Sequence, residues 1–180
     1  MNEELFNQKM MDSHILLIHS GMNPESTNNA ILRIMAWNKI SEDLEINIYL
    51  SANSNNFTCI MALYDVLVSI KNPISVYCMG SVGGYAPVLL AAATKGRRYA
   101  LKHTVISLDQ PYGTVQSGPN QQTEVEIYAN RVTHERNVYE SILAESLNKP
   151  IDVIHKDTED NRELKAQEAL EYGLIDEILE

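Results

Sequence analysis

The sequence predicts an α/β fold in which a parallel sheet is flanked by helices, and three observations carry that prediction. Apolar runs of strand length alternate with segments whose apolar residues recur at helical spacing. A glycine-rich corner, Gly80, Gly83 and Gly84, separates two apolar runs within residues 74–90, ISVYCMGSVGGYAPVLL. The chain, with 180 residues of which 44% are apolar and 21% charged, is long enough to bury a core as one globular domain spanning residues 1–180.

Taken in order, residues 14–19, HILLIH, form a short buried strand. Residues 24–40 follow as a helix, with Ala30, Ile31, Ile34, Met35 and Trp37 as its apolar stripe and Ser26 and Thr27 as capping candidates. Residues 46–52, INIYLSA, give the second strand. Phe57, Ile60, Met61, Tyr64, Leu67 and Val68 then mark a helix that stops at Asn72-Pro73, since the residue before proline is pushed out of helical geometry. The glycine-rich stretch supplies a third βα unit, a strand turning sharply into a helix whose first turn tolerates Pro87. Residues 97–100 and 104–108 are further strands, and residues 111–122 a polar loop with Gly113, Gly118 and Pro119. A helix of about six turns covers residues 123–145, long enough to project from the domain. A short helix over 150–156, a polar turn over 157–162, and a closing helix over 166–172 stopped by Gly173 complete the chain.

Composition narrows the function. A net charge of −10 and a pI near 4.9 disfavour nucleic acid and anionic membranes, whose recognition depends on clustered Lys and Arg. No apolar run reaches the ~18 residues needed to span a bilayer, and the N-terminus lacks a signal core, so a cytoplasmic protein is expected. Cys59 and Cys78 lie in apolar runs without CxxC spacing and read as buried free thiols. His14, His19, His103, His134 and His155 are scattered without metal-site spacing, and no metal or other cofactor is expected.

The corner at Gly84 is the chemically suggestive feature. In many α/β hydrolytic enzymes a tight strand-to-helix turn lifts a nucleophile beside backbone N–H donors. Here the natural nucleophile position is Gly84, which has no side chain.

Several segments together resemble the proteolytic subunit of the Clp protease. They are Leu63-Tyr64-Asp65-Val66-Leu67, Leu89-Leu90-Ala91-Ala92-Ala93 ahead of Lys95-Gly96-Arg97-Arg98-Tyr99-Ala100-Leu101, Gln110-Pro111, Asp157-Thr158-Glu159, and Ala169-Leu170-Glu171-Tyr172-Gly173-Leu174-Ile175-Asp176. The likeness runs from about Phe6 to the end of the chain. It implies a ClpP-like, crotonase-like α/β fold, seven-membered rings stacked in pairs around a chamber, and an AAA+ unfoldase that feeds substrate. The helix over 123–145 would be the projecting handle that meets the opposite ring. The chain begins almost at the first structural helix, so the family's N-terminal axial loops are expected to be missing. The loop over 112–122 reads as about three residues longer than the family's.

The resemblance also implies a Ser–His–Asp triad, and this chain departs from it at each position. The nucleophile falls on Gly84, the general base on Asp109 and the orienting aspartate on Asn161. A carboxylate at 109 is too weak a base to deprotonate a serine, and an amide at 161 cannot stabilise an imidazolium by charge. The Pro-Gly-Gly corner whose N–H groups hold the oxyanion reads Asn53-Ser54-Asn55, so Ser54 and Tyr85 stand at the oxyanion-hole positions. The expectation is a noncatalytic subunit, a pseudoenzyme, acting as scaffold or regulator in a Clp assembly with an active subunit and an unfoldase.

Other readings stay open at this point. Ser81 is either a displaced nucleophile or a helix cap; Ser54 and Ser107 are weaker nucleophile candidates. Asp109 is either a structural residue salt-bridged to an arginine near Arg162 or a new catalytic acid. A crotonase-like protein could bind acyl-CoA through two backbone N–H groups without a triad, although no basic cluster for the CoA phosphates is evident. A self-assembling ring with no protease partner is a third possibility.

Overall fold

The structure, a computed structural model, describes residues 3–110 and 122–180. The expected polar loop over 111–122, including its extra length, lies almost wholly outside the described residues. Helix α1 spans Glu3–Asp12, strand β1 Ile15–His19, and helix α2 Pro24–Ile40. The helix-capping expectation needs correcting. Asn23 is the N-cap of α2, its side chain accepting from Ser26 N–H at 2.9 Å, while the Ser26 hydroxyl accepts from Asn23 N–H at 3.0 Å. Ser26 therefore closes a capping box from inside the helix, Pro24 occupies the first turn, and Thr27 is buried instead of capping.

Strand β2 covers Ile46–Ser51 and β3 Asn53–Ser54; β4 covers Ile74–Cys78 and β5 Ser81–Gly84; β6 covers Arg98–Leu101 and β7 Val105–Leu108. Helix α3, Phe57–Ser69, lies between the first two pairs and is capped by the Asn56 side chain, which accepts from Cys59 N–H at 3.2 Å. The remaining elements are α4 Val88–Ala91, α5 Gln122–Leu147, α6 Ile151–Glu159, β8 Arg162–Lys165, α7 Ala166–Tyr172 and β9 Glu177–Leu179.

Two sheets result. One has the order β1-β2-β4-β6-β9 with every pairing parallel, and the other the order β3-β5-β7-β8, in which only β7–β8 is antiparallel. The middle three strands of the first sheet each run on, after a break of one to three residues, into a strand of the second. Gly80, at φ +64, makes the break between β4 and β5: Met79 N–H still donates to Leu50 O in the first sheet, while Gly80 O already accepts from Val105 N–H at the start of the second. The sharp strand-to-helix turn expected over 74–90 is thus a strand, a switch of sheet, a second short strand, and only then a helix of four residues. Ser81 opens β5, so it caps no helix; the N-cap of α4 is Pro87.

The core sits between the first sheet and the helices, with Ile34, Trp37, Ile48, Leu50, Leu63 and Val76 among its fully buried members. Trp37 donates its indole N–H to Met11 O at 3.0 Å and so ties α2 to the end of α1. Arg98 donates to both carboxylate oxygens of Asp176 and to Gly173 O, fastening β9 to β6. Burial dominates the environment of the Asp176 carboxyl, yet the Arg98 hydrogen bonds outweigh it and hold its pKa below the ordinary value. Of the polar turn expected over 157–162, the first half is helix, since α6 continues to Glu159; the turn is confined to Asp160 and Asn161, and the chain then enters β8, which the sequence does not reveal. Helix α5 has 26 residues, about 39 Å. Only its C-terminal half is anchored: Tyr139 and Leu143 are buried, whereas Val125 and Ile127 face outward. Both cysteines are buried and free, and burial pushes the Cys78 thiol up to about 12. Among the described residues, no helix is long and apolar enough to cross a membrane.

Candidate functional site

All five positions singled out in the sequence lie on or beside the second sheet. Gly84 ends β5 with φ +60, Asp109 follows directly on β7, and Asn161 sits in the turn before β8 with φ +47. Strand β3 carries Ser54, paired in parallel register with Gly84. The fold brings these together across sequence gaps of 25 and 51 residues: Gly84 N–H donates to Asp109 Oδ2 at 2.5 Å, and Gln110 N–H donates to Asn161 Oδ1 at 3.0 Å.

Asp109 therefore has a definite occupation. Its carboxylate accepts from the backbone of the corner, and its Oδ2 lies 2.8 Å from where a Cβ on Gly83 would stand. The alternative of a salt bridge to an arginine near position 162 is overturned. Arg162 instead donates to Asp157 Oδ1 at 2.9 Å and lies over the Tyr172 ring, whose hydroxyl donates to Asp157 Oδ2 at 2.6 Å. Asp157 on α6 and Tyr172 on α7 together hold the guanidinium there.

The oxyanion-hole positions are equally engaged. Tyr85 N–H donates to Ser54 O at 2.8 Å, and Gly83 N–H donates to Ala52 O at 2.9 Å, so β3 hydrogen-bonds along the corner. Ser54 is buried, and its hydroxyl accepts from Met22 N–H at 3.2 Å and Asn56 N–H at 3.4 Å, both backbone donors of neighbouring turns. A hydroxyl tied up in this way is a poor nucleophile.

The Tyr85 side chain is a feature that residue-type reasoning missed. It is 2% exposed, stands edge-on between the rings of Phe57 and Tyr139 at centroid distances of 5.2 and 5.6 Å, and donates its hydroxyl to Glu135 Oε2 on α5 at 3.0 Å. Burial, with the Glu135 carboxylate next, raises the Tyr85 phenol well above its ordinary pKa, so it remains a donor. Beside it opens a cleft of about 500 Å³ between β3, the start of α3 and the outer half of α5, lined by Asn55, Asn56, Phe57, Tyr128 and Arg131. The sequence signal was an aromatic residue directly after the glycine pair, which reads equally well as ordinary core.

The remaining candidates are dispersed. Ser81 is exposed at the far end of β5, roughly 10 Å from Gly84 along the strand. It makes no hydrogen bond to a histidine among the described residues. His103 lies on the exposed turn between β6 and β7, and His14 packs edge-on against Trp37. His155 Nδ1 lies 2.9 Å from Glu140 Oε2 in a cluster between α5 and α6. Among the described residues, no group of three His, Cys, Asp or Glu side chains is placed to hold a metal.

The glycine corner, the residue after β7 and the residue before β8 thus meet at one end of the smaller sheet. The family model described as Clp protease matches residues 2–180. The chain is 31% identical over 171 residues to ATP-dependent Clp protease proteolytic subunit 2 of Streptomyces coelicolor, covering 95% of this chain and 78% of that protein. It is 33% identical over 171 residues to ATP-dependent Clp protease proteolytic subunit 1 of Thermobifida fusca, covering 95% of this chain and 76% of that one. The chain belongs to the Clp protease family.

Proposed function

We propose that this chain is a noncatalytic Clp-type proteolytic subunit, a structural or regulatory member of a ring assembly. The observation that carries the reading is the state of position 84: it has no side chain, and the carboxylate that stands where a general base is expected accepts its N–H. Acyl transfer of the serine type needs a nucleophile, a base to take its proton and free donors for the oxyanion. Gly84 supplies no hydroxyl. The Asp109 carboxylate accepts from the Gly84 backbone, and Asn161 is spent on Gln110 N–H. In a comparable serine protease, loss of the nucleophile alone costs about 10⁶ in turnover.

The relatives' description as proteolytic subunits of an ATP-dependent protease supports a role within a larger machine. On this reading the chain self-associates into rings, heptameric or stacked, pairs with an active Clp subunit, and works beside an AAA+ unfoldase in the cytoplasm. The outward-facing half of α5 fits a contact between rings. The acyl-CoA reading loses its main support, because one of the two donors it requires, Tyr85 N–H, is taken by Ser54 O.

Co-expression with an active Clp proteolytic subunit from the same cell, followed by native mass spectrometry, tests the proposal. Rings containing both chains are the expected result. A protein that stays monomeric at micromolar concentration beside that subunit, or that titrates saturably with an acyl-CoA in calorimetry, would overturn it.

A further inference from the structure

Removing a catalytic serine does not by itself require the backbone around it to change, yet here the space such a side chain would need is filled. A Cβ built on Gly84 overlaps the Ser54 carbonyl oxygen and stands 2.7 Å from the Ser54 carbonyl carbon and 2.9 Å from Asn55 Oδ1. Two of these three atoms are backbone, so no rotamer change relieves the contact. The same Ser54 carbonyl accepts from Tyr85 N–H, the donor a substrate oxyanion would need. The strand that does this is fixed at both ends. The β3–β5 register pairs Asn53 with Gly83 and Ser54 with Gly84, Gly83 N–H donates to Ala52 O, and the buried Ser54 hydroxyl accepts from Met22 and Asn56.

We propose that strand β3 is a built-in seal on the degenerate corner, which occupies both the nucleophile's volume and an oxyanion donor, so that restoring the missing catalytic side chains would not by itself restore activity. The proposal rests on the noncatalytic reading above and goes further than it: the chain is inactive by backbone as well as by side chain. Sealing also gives the corner a structural use, since its N–H groups are satisfied internally where an open site would leave them to solvent or substrate. Strand β3, Asn53 and Ser54, with Asn55 after it, holds the corner closed; Gly84 permits it, because only glycine fits against the Ser54 carbonyl at φ +60.

The test compares four forms of the full chain: unmutated; a side-chain set, Gly84→Ser with Asp109→His and Asn161→Asp; a loop set, Asn53→Pro with Ser54→Gly and Asn55→Gly; and both sets together. Each is assayed for hydrolysis of a fluorogenic peptide and for covalent labelling by a fluorophosphonate, in which the serine oxygen displaces fluoride from phosphorus. The combined form should label at least about 100-fold faster than the side-chain set alone, the usual scale of an oxyanion donor. Equal labelling of those two forms would overturn the seal. So would a combined form that folds and still does not label. Hydrolysis by the unmutated protein would instead remove the noncatalytic reading itself, so the two failures are distinguishable. A measurement on the unmutated chain keeps the proposal testable should the combined form not fold. Hydrogen exchange in peptides covering residues 82–88 should show the Tyr85 amide protected by roughly 100-fold or more over an exposed loop. Exchange at the exposed-loop rate would overturn the seal as well.

Discussion

The two sheets are drawn from the same chain passages, with β2, β4 and β6 continuing into β3, β5 and β7, yet they do different work. The five-stranded sheet is built of strands of three to six residues with Ile48, Leu50, Val76 and Cys78 fully buried at its centre, and none of Ser54, Gly84, Tyr85, Asp109 and Asn161 lies in it. The four-stranded sheet is built of strands of two to four residues and carries Ser54 and Gly84, with Asp109 and Asn161 at its ends. One sheet supplies cohesion; the other presents residues. In this protein the presenting sheet has closed on itself, and its backbone hydrogen bonds run through the corner where substrate donors would stand.

That contrast can be broken or sharpened by substitution. The largest loss is expected in the cohesive sheet: Ile48→Ala, at a fully buried central position, should cost about 2–5 kcal/mol in denaturant unfolding. Gly84→Ala stands beside it, at about 2–5 kcal/mol, because a left-handed backbone costs roughly 1–2 and overlap with Ser54 adds roughly 1–3. Gly96→Ala serves as its control. Gly96 has φ +83 with nothing within 4 Å of a Cβ, so only the conformational part, about 1–2 kcal/mol, should appear. Equal losses at the two glycines would mean that β3 does not press on the corner.

A third test reads the brace behind the presenting sheet. Glu140 is 2% exposed and takes hydrogen bonds from Arg136 at 2.7 Å and Thr158 at 2.5 Å, with His155 Nδ1 at 2.9 Å. Burial pushes its carboxyl pKa up, but these partners together outweigh burial and hold it below the ordinary value. A depressed folded-state pKa means that the group contributes stability above its unfolded value, near 4.5, and that this contribution is lost as pH falls through the lower folded value. Glu140→Gln should therefore cost about 1–3 kcal/mol near neutral pH. The gap between variant and wild type should narrow in acid, as followed by unfolding from pH 7 to 3. The smallest expected effect is Asp109→Ala, about 1–2 kcal/mol from loss of the bond to Gly84 N–H. No change in stability would deny Asp109 its structural role.

Much of the cohesive sheet was legible in the sequence, and little of the presenting one. Strand β1 is an apolar run ending at His19, β4 is apolar but for Ser75, and β2 alternates apolar and polar residues; the helices between them show helical spacing, so their order and bounds could be read to within a few residues. Strand β3 has two residues, β5 contains two glycines, and β8 has one inward residue, Leu164, in an otherwise exposed stretch; none carries a periodic signal. Their existence depends on long-range pairing that no local window contains. Gly84 was reached from the glycine-rich corner that carries it, but Asp109 and Asn161 only by family likeness, because two residues that differ from the family's catalytic types leave no pattern of their own to find. The Ser54–Tyr85 bond, the Tyr85–Glu135 bond and the true partner of Arg162 were invisible for the same reason: each joins elements whose meeting is decided by the fold.

The most direct test of the account is the peptidase rate of the unmutated protein, produced in a host lacking active Clp subunits and assayed with a fluorogenic peptide with and without a fluorophosphonate. A noncatalytic subunit should show no turnover above the buffer rate and no change on adding the inhibitor. Turnover that scales with protein concentration and is abolished by the inhibitor would contradict it.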